Sequence, residues 1–274
     1  MDSTHSISTP TLADTIEVWD YIQSARKYRY TQPDSAQIFA ENAKALSDEI
    51  GFPIGAVYAL SNLGILARNR AETSLALDYF YQGLSVSQQI RNTEREAALS
   101  KNLGDAYLRA KGRGIDSVFH YLSHSLELYR QLEDEKGMMK VHLSLGNFYA
   151  SLPDLEKAKG HFFQGLPYAE KLGYAPLFQE NIGNIYIQKE ALDSARIFYE
   201  KVLAAYGDNI SINLQHNLAV LAQKQGEYLK AIQLYEDNLE RKALFPNRDL
   251  WVSTLNNLAH VYSIQGKPDK ALPY

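Results

Sequence analysis

Two histidines four residues apart, His120 and His124, are the sharpest hint of chemistry in the sequence. At that spacing both imidazoles lie on one face of a helix, where a metal could take two nitrogen ligands. No third ligand is evident, so exposed, uncoordinated histidines are the simpler reading. The chain has no cysteine, which excludes disulfides, thiolate metal sites and cysteine nucleophiles together. The stretch KGRG at Lys111 would need to follow a strand to cradle a phosphate; it follows a helical run and reads as a turn insertion. The acidic triplet Glu133, Asp134 and Glu135 falls between helices and reads as a solvated turn. Neither G-x-x-x-x-G-K-S/T, G-x-S-x-G nor H-E-x-x-H occurs. The expectation is therefore no catalytic residue, no metal and no cofactor.

The bulk properties narrow the partners. A net charge of −4 and a pI near 6.0 argue against nucleic acid and anionic membrane. With 45% apolar and 22% charged residues the chain has the balance of a folded protein. Its most apolar window, Gly55 to Ala67, carries Ser61 and Asn62 and is too short for a membrane span, so no direct membrane contact is expected. The opening MDSTHSISTPTLAD lacks the basic start and apolar core of a signal peptide. Residues 1–14 read as a flexible N-terminal segment, and 15–274 as the folded region.

That region is organised by repetition. Six segments share one signature: SNLGILA from Ser61, KNLGDAY from Lys101, LSLGNFY from Leu143, ENIGNIY from Glu180, HNLAVLA from His216 and NNLAHVY from Asn256. Their small residues Gly64, Gly104, Gly146, Gly183, Ala219 and Ala259 are spaced by 40, 42, 37, 36 and 40. A second small residue follows twelve positions later at Ala76, Ala158, Ala195, Ala231 and Ala271, and fourteen later at Val118, where the KGRGI turn intervenes. Within WVSTLNNLAHVY the apolar residues Trp251, Leu255, Leu258 and Tyr262 recur with helical period. Gly226, Gly266 before Pro268, and Pro153-Asp154 supply stop and start signals. The spacing predicts paired helices, with small residues at the crossing and the abundant tyrosines (19 in all) and phenylalanines filling space between hairpins.

This order of glycine, tyrosine, alanine and aromatic resembles the tetratricopeptide repeat, over Pro33 to Tyr274. The resemblance implies an all-α fold, an alpha-alpha superhelix in which antiparallel helix pairs stack as a right-handed solenoid. Two departures stand out. The units exceed the usual length of about 34 residues, so a helix or a loop must be longer, and Ala67 and Ala222 stand where Tyr107, Tyr149, Tyr186 and Tyr262 stand elsewhere. The segment TIEVWDYIQSARKY from Thr15 lacks the glycine signature and reads as a divergent cap. About six hairpins and the first helix of a seventh are expected, cut at the C-terminus, and a half-made repeat suggests a piece of a longer protein.

In this family the first helices line a concave groove, and ligands meet polar residues beside the glycine slot. Carried onto this chain, those positions give Asn62, Lys101, Asn102, Asp105, Asn147, Glu180, Asn181, Asn184, His216, Asn217, Asn257 and His260 as the candidate site for a protein or extended peptide segment. Carboxamides at this recurrence can pair with a peptide backbone, and they can equally tie neighbouring helices together. The mixed signs of charge suggest a ligand without a strong charge demand, and the lysine-rich clamp that some relatives use for a terminal carboxylate is missing. The resemblance points to the sensory or interaction module of a larger bacterial signalling protein. A free-standing adaptor, and a peptide-sensing regulator of a response regulator, are the alternatives.

Overall fold

The computed structural model describes residues 11–110, 114–207, 210–241 and 248–271. Among these residues there is helix and turn but no strand. The helices run α1 (Leu12–Tyr28), α2 (Pro33–Glu49), α3 (Pro53–Asn69), α4 (Thr73–Gln89), α5 (Thr93–Arg109), α6 (Ile115–Gln131), α7 (Glu135–Ser151), α8 (Leu155–Leu172), α9 (Ala175–Gln188), α10 (Leu192–Tyr206), α11 (Ile212–Lys224), α12 (Tyr228–Glu240), α13 (Arg248–Ile264) and α14 (Pro268–Ala271). They fall into two compact units, Met1–Phe148 and Tyr149–Tyr274, with the boundary inside α7.

Short turns reverse the chain, so consecutive helices pack as antiparallel neighbours. In the first unit α1 packs on α2, α3 on α4 and α5 on α6, with α2 against α3 and α4 against α5 joining the pairs. In the second unit α9 packs on α10 and α11 on α12, with α8 against α9 and α12 against α13. The long repeat has a local cause. Helices α3 to α5 are 17 residues each, so a pair with its two three-residue turns occupies the 40 residues between Gly64 and Gly104. The extra length there is in the helices and not in the loops. In the second unit α9 to α12 shorten to between 13 and 15 residues.

The glycine slot has a more specific purpose than close backbone approach. A Cβ on Gly64 would stand 2.4 Å from the ring of Phe80, and one on Gly183 would stand 2.5 Å from the ring of Tyr199. These rings sit four residues beyond the small residues Ala76 and Ala195 and are 0% and 1% exposed. The second helix therefore lays an aromatic face into the notch that the missing side chain leaves in the first helix. Aromatic packing also explains the tyrosine slot: Tyr107 stacks on Tyr121, Tyr149 on His161 and Tyr186 on Phe198. Tyr81, Tyr107 and Tyr121 join in a chain of hydroxyl hydrogen bonds of 2.7 and 3.2 Å.

Turns between helices repeat one solution. The residue beyond the helix end adopts positive φ at Gly51, Ala71, Arg91, Glu133, Gly173, Glu190, Gly226 and Gly266. The next amide then bonds back five residues, as from Glu72 to the Ala67 carbonyl at 3.0 Å, which satisfies a carbonyl at the helix end. At Ala71, Arg91, Glu133 and Glu190 a side chain tolerates a conformation that costs roughly 1–2 kcal/mol without glycine. Starts are capped where a short polar residue is present: Asn92 Oδ1 accepts from Arg95 N at 2.9 Å, Asp154 from Lys157 N at 3.2 Å and Ser211 from Leu214 N at 3.1 Å.

The first helix begins at Leu12, ahead of the expected boundary at residue 15, because Thr11 and Asp14 form a reciprocal capping box. The flexible lead-in expected over 1–14 otherwise lies outside the described residues for 1–10, as do most of the KGRG turn at 111–113 and Pro273. No helix among the described residues is long and apolar enough to cross a membrane.

The notch argument is testable. Gly183→Ala is expected to lower unfolding stability by about 1–3 kcal/mol through overpacking against Tyr199, read from urea midpoints. Adding Tyr199→Leu should reduce that loss, since the smaller side chain leaves room for the methyl group.

Candidate functional site

The first helices of successive pairs touch within each unit, α1 with α3 and α3 with α5, then α9 with α11 and α11 with α13. Polar residues on this face bond mainly to the corresponding helix of the next pair. In the first unit Arg29 at the end of α1 donates from Nη2 to Oδ1 of Asn62 on α3. Asp105 on α5 gathers Arg68 Nη1 of α3 at 3.4 Å, Lys101 of its own helix, and the Ser144 hydroxyl of α7 at 2.7 Å. Three first helices are thus joined through one carboxylate.

The second unit has its own set. Asn217 on α11 donates to Glu180 on α9 at 3.4 Å, and Gln223 of α11 meets His260 of α13 at 3.1 Å. His216 on α11 is 6% exposed and its Nδ1 lies 2.9 Å from Thr254 Oγ1 on α13. The Thr254 hydroxyl gives its proton to the Leu250 carbonyl at 2.8 Å, so Nδ1 must carry the hydrogen and donate to Thr254. Burial lowers the pKa of this histidine, which keeps it neutral around pH 7. Tyr199 donates to Asn184 at 2.6 Å, so the ring in the Gly183 notch is also fixed by its hydroxyl.

Taken singly, the expected site residues divide. Asn62 and His216 are buried and committed to neighbouring helices. Lys101, Asp105, Glu180, Asn184 and Asn217 are half-buried within the links just described. Asn181 turns its amide onto the Leu177 carbonyl of its own helix at 2.8 Å. Asn257 is half-buried near Tyr235, whose pKa is raised by burial against an offset from its hydrogen bond with Asn257. Asn147 and His260 are exposed, and His260 is held by Gln223. Asn102 is half-buried, and neither it nor Asn147 has a hydrogen-bond partner among the described residues. The partners Arg29 and Arg68 lie outside the positions beside the glycine slot. Their signal was a basic residue in the last turn of a first helix, one repeat away from a polar partner.

The other groups singled out in the sequence are simpler. His124 Nε2 pairs with Glu96 at 3.0 Å, and His120 is exposed beside it. No group of three or more His, Cys, Asp or Glu suited to a metal occurs among the described residues. Asp134 Oδ1 caps α7 by accepting from Gly137 N at 2.9 Å, so the acidic triplet includes a structural member. The second unit also holds an apolar cleft of about 370 Å³, lined by Leu203, Ile210, Leu218, Leu221 and Leu234 together with Arg196 and Lys230.

Tetratricopeptide repeat models match residues 178–209 and 211–274. Over these residues, which hold the Tyr199 ring in the Gly183 notch, the chain is similar to the tetratricopeptide repeat. A tetratricopeptide repeat protein 29 from Trypanosoma brucei brucei (strain 927/4 GUTat10.1) is 26% identical over 157 residues, or 57% of this chain. The matched stretch spans only 32% of that relative. Aspartyl phosphate phosphatase F from Bacillus subtilis has the same fold, with a TM-score of 0.72 at 18% identity over 96% of this chain and 69% of that one. NprR in complex with its cognate peptide NprX gives 0.63 at 15% identity, over 97% of this chain and 77% of that one.

Glu180 offers a check on the half-buried links. Burial raises its carboxyl pKa above the ordinary value, offset in part by the Asn217 hydrogen bond. The folded state then holds the proton more tightly than the unfolded chain, so stability falls as pH rises through the raised pKa. Glu180→Gln is expected to be more stable than the parent at pH 7. The difference in urea midpoint should close as pH falls below about 4.3, the usual glutamate value. A difference independent of pH would mean that burial of the charge is not its cause.

Proposed function

We propose that the chain is a non-catalytic protein- or peptide-binding scaffold, serving as the sensory or interaction module of a larger bacterial signalling protein. The observation that carries this reading is the uncommitted polarity of the first-helix face. Most polar groups there are spent on joining helices, yet Asn102 on α5 and Asn147 on α7 keep their carboxamides free. Asn102 is half-buried and Asn147 exposed, and each offers a donor and an acceptor that an extended backbone can meet. The fold supports the same direction, since the solved NprR neighbour is a complex with a peptide.

A second reading follows from the other neighbour. Aspartyl phosphate phosphatase F matches nearly all of this chain with about two thirds of its own length. That favours a peptide-sensing regulator of a response regulator as the alternative, with binding by the helical array common to both.

An immobilised library of twelve-residue peptides, probed with the full chain, tests the scaffold. A sequence-related subset of peptides is expected to bind. Asn102→Ala with Asn147→Ala should weaken that subset by about ten-fold, two lost hydrogen bonds of roughly 0.5–1.5 kcal/mol each, with the melting temperature unchanged. Binding that survives the double variant intact would put the ligand elsewhere on the molecule.

A further inference from the structure

The first unit carries a concentration of positive charge that neither the whole-chain charge of −4 nor the slot positions disclose. Tyr58 of α3 has Arg26 of α1 at 5.0 Å from its ring centroid and Arg95 of α5 at 4.4 Å. Three successive first helices thus converge on one aromatic ring. Arg26 is depressed by partial burial first and, against an offset from Tyr58, by the charges of Arg95 and Arg29. Arg68 is depressed by burial, offset by Asp105, with Arg109 and Arg29 adding to the depression. The side chains of Arg68, Arg95 and Lys101 are only 16%, 17% and 20% exposed. Against these cations stand Asp105, shared by Arg68 and Lys101, and the exposed Glu94, which takes Nη2 of Arg95.

A second observation concerns hydrogen bonds. The Nε atoms of Arg29, Arg68 and Arg95 are buried without a partner, and so is Nδ2 of Asn62, whose residue is 2% exposed. Native structures pair nearly all such donors. Four unpaired donors among clustered cations, within one unit and on neighbouring helices, call for an acceptor that carries negative charge.

We infer that this face of the first unit binds an acidic peptide segment, whose side-chain carboxylates are received by Arg26, Arg29, Arg95 and Asn62 with Tyr58 between them. The inference rests on the scaffold reading and adds the chemistry of its ligand, replacing the expectation of a ligand without charge demand. Planar carboxylates suit the guanidinium edge, which offers parallel donors to two oxygens. Several cations spread over three helices suit several carboxylates along a strand of peptide better than one terminal group. The negative charge of the chain as a whole disfavours long polyanions such as nucleic acid.

Fluorescence anisotropy with the full chain and a labelled octaglutamate peptide, beside its octaglutamine counterpart, tests this. The glutamate peptide is expected to bind at least about ten-fold more tightly, and to weaken as salt rises from about 50 to about 300 mM. Amidating its C-terminus should change nothing. The Arg26→Gln/Arg95→Gln variant should lose the preference while circular dichroism and melting stay as in the parent, and Lys171→Gln/Lys201→Gln, both exposed in the other unit, serves as the charge-matched control. Equal affinity for the two peptides, or loss of binding on amidation, would overturn the inference and leave the scaffold intact. Tighter binding of an oligothymidylate would overturn it in favour of a phosphate ligand. Failure of every peptide here and in the library would remove both readings.

Discussion

The fold depends on one steric bargain: a bulky side chain from the second helix, a ring in two pairs and Leu122 opposite Gly104, needs a notch in the first, and only a very small residue provides it. Gly64 receives Phe80 and Gly183 receives Tyr199. A single helix pair leaves its outer flank in water, so each pair is completed by the next. Helix length, turn geometry and the polar links on the first-helix face are constrained by keeping that side chain in register. The left-handed turn residues belong to the same constraint. They reverse the chain in three residues and deliver the second helix at the height where its side chain meets the notch.

The repeat, and with it the fold, was legible because a fixed packing contact leaves a fixed sequence interval. The small residues twelve apart mark where two helices cross, and a crossing is local. The polar face was only half legible. Asn62 looked like a ligand-binding amide with both of its groups on offer, but its oxygen is taken by Arg29 from one repeat upstream and only Nδ2 is left unpaired. Asp105 looked like a groove acid and is a junction for Arg68, Lys101 and Ser144. Whether a polar residue faces a ligand or a neighbour depends on the reach of side chains about one repeat away. A motif centred on the slot does not contain that information. The helix start at Thr11 was readable as T-x-x-D, but the polar composition ahead of it drew the boundary too late.

Charge shows the same separation of scales. A chain of slightly negative total charge can still gather arginines on one face, because packed first helices bring residues of different repeats side by side. Arg26, Tyr58 and Arg95 are far apart in sequence, at unrelated distances from their slots, and adjacent in space. Packing of first helices within one unit turns modest composition on each helix into a local field. A summed charge averages that field away, whereas neighbouring arginines feel it directly.

The placement of Trp19 has a practical consequence. Its indole sits edge-on to Tyr58 at 4.9 Å and to Phe52 at 6.1 Å, and the sequence holds only one other tryptophan, Trp251, in the second unit. Each unit therefore owns a single tryptophan, and the one in the first unit abuts the ring that two guanidinium groups flank. Emission from that indole is a built-in optical gauge of occupancy on the arginine-bearing face, readable without any added label once Trp251 is replaced.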